Sequence, residues 1–137
     1  MRRRTNGTSP LMETPAEQYG SFASLPRSYL RPCLLLLLAE DSSHGYELLE
    51  QLRELGLRIA EPGGMYRALR SMDEDGLVRS WWEPSQSGPA RRLYVITDEG
   101  RASLKAWIGE IIDTRRRLDE LVQRHEGISR PNRRPRP

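Results

Sequence analysis

The sequence predicts a mainly α-helical domain with one small β-hairpin, extended at its C-terminal side by a single long helix. Three observations carry this. Apolar residues recur at helical spacing in three segments between residues 29 and 78. Two short runs rich in β-branched and aromatic residues, 78–83 and 91–97, flank a turn of Pro, Ser and Gly. Beyond residue 98 an alternating four-and-three apolar spacing continues to residue 125.

Composition sets the limits. A chain of 137 residues whose ends read as disordered allows one domain of roughly 100 residues. Charged residues are 30%, aromatic residues 7%, and the mean hydropathy is −0.70, which fits a soluble helical protein with a modest core. The longest apolar run, 33–39, falls far short of the ~20 residues a membrane-spanning helix needs. The basic start is followed by polar and proline residues rather than a secretory apolar stretch, so a cytoplasmic protein is expected. Cys33 is the sole cysteine, which excludes an internal disulfide, and its place in CLLLLLA reads as a buried thiol. The net charge of +3 is unevenly placed. Residues 1–28 carry +2 and residues 127–137 carry +4, which leaves residues 29–126 at −3. Any reading as a nucleic-acid binder must therefore rest on local patches of the core.

Residues 1–28 mix Arg, Thr, Asn, Gly, Ser and Pro and predict a flexible arm, either a solvated tail or one lying on phosphates. Pro32 suits the first turn of a helix, and the following 33–39 stretch is apolar on all sides, which places that helix at the centre of the core. Asp41, Ser42 and Ser43 supply capping side chains for a second helix over about 44–55, with Leu48, Leu49, Leu52 and Leu55 on one side and Gly56 at its end.

A third helix is predicted within residues 62–78. Met65, Ala68, Leu69 and Met72 form its buried stripe, and Tyr66, Arg67, Arg70 and Ser71 share the opposite side. Gly63 and Gly64 open it with a bare backbone, and Gly76 stands where a left-handed cap would close it. Asp73, Glu74 and Asp75 fill its last turn, so only the first half can face a polyanion. An ordinary surface helix with a solvated polar face, or a plain helical hairpin, would show the same pattern.

The hairpin separates these readings. In its second strand Leu93 and Val95 share one face and Arg92 and Tyr94 the other, while Arg91 and Arg92 lie at the tip, within reach of backbone phosphates. Three helices followed by a hairpin with a basic tip predict a winged helix-turn-helix over residues 29–97. Thr97, Asp98 and Glu99 then cap and charge the start of a helix over residues 98–126. Leu104, Ile108, Ile111, Leu118 and Val122 form its seam, with Arg115 and His125 in the same frame and Trp107 and Leu121 widening it. So small a core cannot cover this face, which is expected to pair with the same helix of a second chain; packing of 104–111 on the first helix is the alternative for its early part. Arg115 within the seam needs an acidic partner such as Asp119 or Glu120. Residues 127–137 predict a basic, disordered tail.

With these pieces in order, the chain resembles the PadR family of bacterial transcriptional regulators. The likeness covers about residues 29–122 and rests on HGYEL (44–48), GGMYRALRSMDEDGLV (63–78), GPARRLY (88–94) and ITDEGR (96–101). One long helix after the wing resembles the family's short subfamily, and PCLLLLLAE followed by SHGYELLEQL is similar to members described as polyhydroxybutyrate-responsive repressors. The resemblance implies a homodimer on a pseudo-palindromic operator, with each recognition helix in a major groove and each wing on the flanking backbone. By position it implies DNA contacts from Tyr46, Gly64, Tyr66, Arg67, Arg70, Arg91 and Arg92, and a dimer interface at Leu104, Ile108, Ile111, Arg115, Leu118 and Val122. Where the family often carries lysine, 21 of the 22 basic residues here are arginine, which adds bidentate geometry. The N-terminal extension and the net acidity of the core depart from the family's pattern.

Other chemistry finds little support. His44 and His125 have no Cys, His, Asp or Glu partners at ligand spacing, so no metal is expected. No nucleophile has its base, no glycine loop with a lysine cradles a phosphate, and neither an enzyme nor a cofactor is predicted. Trp81, Trp82 and Trp107 raise the question of a small-molecule effector, for which Trp107 on the last helix is the candidate wall; core packing is its alternative role. Two functions follow: a DNA-binding repressor released by an effector, or a winged-helix module that holds another regulator without specific DNA recognition.

Overall fold

The structure is a computed structural model that describes residues 24–57 and 60–129. Most of the expected arm (residues 1–23) and of the basic tail (residues 130–137) lies outside the described residues, as do linker residues 58 and 59. A 3-10 turn at Arg27–Tyr29 leads into helix α1, Leu30–Glu40. A short strand β1, Ser43–His44, precedes α2, Gly45–Glu54, and α3, Pro62–Glu74. Strands β2, Val78–Glu83, and β3, Arg91–Ile96, form the hairpin, and α4 runs over Asp98–Ser129.

Helix α1 has no polar side to keep wet. Leu34, Leu35, Leu37 and Leu38 are all buried, and α2, α3, β3 and α4 all pack on it. Each such leucine contributes about 2 kcal/mol by leaving water, so this helix is the axis of the core, as its sequence predicts. Leu48 and Leu52 of α2 and Met65, Leu69 and Met72 of α3 meet it from one side. The α3 stripe is therefore the one read from spacing. Its closing turn is a Schellman arrangement: the Leu77 amide donates to the Met72 carbonyl at 2.8 Å and the Gly76 amide to that of Asp73 at 3.0 Å. That geometry requires the φ of +80° found at Gly76.

The sheet differs from the hairpin expected. Strands β2 and β3 pair antiparallel from Val78 opposite Ile96 to Glu83 opposite Arg91, but β1 adds to the other edge of β3, Ser43 opposite Tyr94 and His44 opposite Leu93. The order is β1-β3-β2. Ser43 is consequently a buried strand residue and not a helix cap. His44 caps α2 instead, its amide donating to the Glu47 carboxylate at 3.3 Å. Two residues of strand show no alternation, which is why the sequence does not reveal them.

Register places Val78, Ser80, Tyr94 and Ile96 on one face, and of these Val78 and Tyr94 are buried; Leu93 and Val95 on the other face are half-buried. The interior thus takes the tyrosine. Burial pushes its phenol above the ordinary 10.0, opposed in part by the charge of Arg92.

Helix α4 has 32 residues, about 48 Å at 1.5 Å per residue, and continues through Gly127 to Ser129. Thr97 caps it as expected, accepting the Gly100 amide at 3.0 Å. The same hydroxyl donates to the Gly76 carbonyl at 2.6 Å, so one side chain joins the end of α3 to the start of α4. Leu104 and Trp107 pack on the core, whereas Ile108, Leu118, Leu121 and Val122 are exposed. Arg115 lies along an apolar groove, and among the described residues no ion pair joins it to Asp119 or Glu120; Arg116 on the same helix pairs with Asp113 at 3.5 Å. Among the described residues no helix is long and apolar enough to cross a membrane.

Candidate nucleic-acid interface

The start of α2, the polar side of α3 and the two hairpin strands enclose a cleft of about 490 Å³. Tyr46, Tyr66, Arg70, Arg91 and Arg92 all line it. Tyr66 and Arg70 reach it together because they stand at i and i+4, on the side of α3 opposite buried Met65 and Met72. The antiparallel register brings Arg91 and Arg92 to the same opening.

These side chains are tied to one another. Arg91 donates from Nη1 to the Tyr46 hydroxyl at 3.3 Å, and its guanidinium carbon lies 6.0 Å from the centre of the Tyr46 ring. The phenol accepts in that bond, so its own proton is free to be given elsewhere. Arg92 donates from Nε to Ser80 Oγ at 2.9 Å and lies 5.4 Å from the centre of the Trp82 ring. His44 Nε2 stands 2.9 Å from Glu83 on the hairpin, and Nδ1 stands 3.0 Å from Glu47. At the cleft floor the Tyr66 ring covers Gly45, where a Cβ would collide with it.

Two of the expected contact residues are elsewhere. Arg67 lies over Gly63 and Gly64 at the opening of α3, close to where a Cβ on either would stand. It shares that end of the helix with Glu61 and is not part of the cleft. Among the described residues no group of three or more His, Cys, Asp or Glu side chains could hold a metal ion.

A second, almost wholly apolar groove of about 310 Å³ runs between α1 and α4. Pro32, Cys33 and Leu36 form one wall and Ile108, Ile111 and Leu118 the other. Burial pushes the Cys33 thiol above its ordinary 9.0, in keeping with the inert thiol its apolar surroundings predict. Trp107, the expected effector wall, packs against the core instead of lining this groove.

The model of the transcriptional regulator PadR-like family matches residues 34–106, more than half of the chain, from the core of α1 through the hairpin into α4. The chain belongs to the PadR family. It is similar to a Mycobacterium tuberculosis protein named a probable transcriptional regulator, Rv1176c, with 37% identity over 79 residues. That match covers 56% of this chain and 42% of the relative, so less than half of the relative's length is shared. It is also similar to the crystal structure of a PadR family transcription regulator from hypervirulent Clostridium difficile R20291, with 27% identity, a TM-score of 0.63, and coverage of 69% of this chain and 98% of that one. The PadR-like regulator BC4206 from Bacillus cereus gives 27% identity and a TM-score of 0.64 over 71% of this chain and 94% of that one. The winged-helix fold is that of the PadR-like transcriptional regulator family.

In this PadR chain the cleft also includes residues that sequence reasoning did not assign to DNA: Asp73, Ser80 and Trp82. Asp73 stands seven residues after Tyr66 and three after Arg70, a spacing that would have placed it on their side. Strand alternation from Val78 would have put Ser80 and Trp82 on one face. Neither pattern tells that the two faces meet.

Proposed function

We propose that this PadR protein is a sequence-specific repressor that acts in the cytoplasm, binds a pseudo-palindromic operator as a homodimer, and is released by a small-molecule effector. The observation that carries the reading is the convergence of Tyr66 and Arg70 from α3, Tyr46 from α2 and Arg91 and Arg92 from the wing on one cleft. Three guanidiniums and two phenols on a single face match a polyanion that must be gripped along its backbone while α3 enters the groove. Well-placed arginines read guanine at ~1–3 kcal/mol per bidentate contact; Arg70, on the helix, is the candidate for that role and the wing arginines for phosphate. Gly64 and Arg67, at the opening of α3, extend the contact surface toward a neighbouring phosphate.

Dimerisation falls to α4. Its residues Leu118 and Val122 are more than half exposed and continue the seam that begins at Leu104, Ile108, Ile111 and Arg115. An effector seated between α1 and α4 would reach the reading helix through the Thr97 bond to Gly76, which gives a path for release.

Mobility shifts on the protein's own promoter region, over a salt series with competitor DNA, test the reading. Specific binding should survive competitor and weaken steeply with salt. Equal affinity for operator and random DNA overturns it in favour of a module that holds another regulator. Loss of specific binding in Tyr66→Ala with Arg70→Ala, with the fold intact, assigns recognition to α3.

A further inference from the structure

A carboxylate lines a cleft whose cationic side chains face a polyanion. Asp73 shares the walls with Arg70, Arg91 and Arg92, where its charge would repel phosphate. Its contacts show another use. The Ser80 hydroxyl donates to Asp73 Oδ2 at 3.0 Å, and the Ser80 oxygen accepts the Arg92 Nε–H at 2.9 Å. A hydroxyl has one proton to give, and because the carboxylate takes it, lone pairs are what Arg92 meets.

The guanidinium is held on a second side by Trp82, at 5.4 Å from the ring centre. Only Nε is spent in this arrangement. Among the described residues the Nη groups of Arg92, the fork suited to phosphate, make no hydrogen bond. A chain of contacts thus runs from the last turn of α3, through β2, to an exposed arginine on β3 that is held by a hydrogen bond on one side and an aromatic ring on the other.

We propose that Asp73 and Ser80 are positioning residues for DNA binding: together they hold Arg92 on Trp82 so that its Nη edge meets a backbone phosphate already ordered. The proposal rests on the DNA-binding reading of the cleft. An arginine fixed beforehand loses less conformational freedom on binding, so the gain appears as affinity and not as a new contact. Because the anchor lies on α3, the distance between the wing and the recognition helix is set at the same time.

The test uses the full chain and a duplex of its promoter region, with each variant first shown to be folded by its thermal melt. Ser80→Ala should weaken binding about three- to tenfold while leaving the slope of log affinity against log salt unchanged, since no phosphate contact is deleted. Arg92→Ala should reduce that slope by about 0.9, the value of one phosphate contact. Ser80→Thr keeps the hydroxyl on a strand-favouring residue and should restore affinity. In the Arg92→Ala background Ser80→Ala should cost nothing further. Asp73→Ala gives the sharpest sign: deleting a repulsive charge alone would tighten binding, whereas deleting an anchor weakens it. Tighter binding by Asp73→Ala, wild-type affinity in Ser80→Ala, or full additivity with Arg92→Ala overturns the positioning role. If the wild-type chain shows no salt-dependent binding at all, the reading of the cleft fails and the proposal fails with it.

Discussion

The Tyr66 ring rests on Gly45 so closely that a methyl group there would overlap its hydroxyl oxygen and the adjoining ring carbons. The first residue of α2 and the reading side of α3 are therefore placed together. Helical backbone at Gly45 tolerates alanine, and the nearest atoms its methyl group would meet are those of the Tyr66 ring. Tyr66 is 45% exposed and can swing outward. Gly45→Ala should leave the melting temperature within a few degrees of wild type and weaken operator binding about tenfold, by displacing the phenol. In the Tyr66→Ala background the same change should leave binding unaltered and raise stability. A Gly45→Ala protein with full affinity would place Tyr66 outside the contact surface.

Gly100 and Gly109 lie on the same helix and predict opposite signs. A Cβ on Gly100 would strike the Leu77 carbonyl oxygen, which is backbone held by its bond from the Thr97 amide and cannot yield cheaply. A Cβ on Gly109 meets nothing within 4 Å. Gly100→Ala should therefore destabilise by about 1–3 kcal/mol in urea denaturation, while Gly109→Ala should stabilise by up to ~1 kcal/mol through helix propensity. Equal effects would mean that the joint between α3 and α4 is loose.

What the sequence reveals here follows from periodicity. Met65, Leu69 and Met72 mark the buried stripe of α3 by spacing alone, and Pro32 with the leucines behind it marks α1. Thr97 is legible as a cap because its partner is three residues away. Relationships between distant segments carry no such period. Ser43 pairs with Tyr94 across the sheet, His44 with Glu83, and Asp73 reaches Arg92 only through Ser80. Arg67 and Arg70 look alike as cations on a polar face, yet one lies over Gly63 and the other in the cleft, a distinction set by where the wing docks.

Tyr46 and Arg91 form a unit whose members do different work. On a phosphate the uncharged tyrosine would release no counterion, whereas the arginine would. Tyr46→Phe keeps the ring under the guanidinium and removes the hydroxyl, and should weaken binding about threefold with the salt slope unchanged. Arg91→Ala should lower the slope by about 0.9. Identical slopes for Arg91→Ala and wild type would mean that Arg91 touches no phosphate.

Burial raises the Cys33 thiol above 9.0 and the Tyr94 phenol above 10.0. For a raised group the contribution to stability is complete below the unfolded value and is lost as pH climbs through the folded one. The urea midpoint should hold from about pH 7 to about 9 and then fall, and Cys33→Ala should delay the onset toward the phenol's range. A midpoint that stays level through about pH 11 contradicts the burial of both groups.

Helix α4 presents apolar side chains that the other described residues leave exposed. Leu118, Leu121 and Val122 are 55%, 63% and 56% exposed, and Leu118 also borders the groove against α1. A stable interface buries roughly 800 Å² on each partner, which a helix of this length with the adjoining groove can supply. The four-and-three spacing through Ile108, Ile111, Leu118 and Val122 is what a second copy of the same helix would match. Leu118→Glu introduces a charge into that seam at a position already half in water, so the fold of one chain should survive. Its sedimenting mass is expected to fall to that of a single chain, with helicity retained. Ile111→Glu, set deeper, should also give a monomer at a greater cost in stability. A Leu118→Glu protein that keeps the mass of two chains would move the interface away from α4. Loss of the dimer should also weaken operator binding to that of one half-site, because a single reading helix can engage only one half of a palindrome.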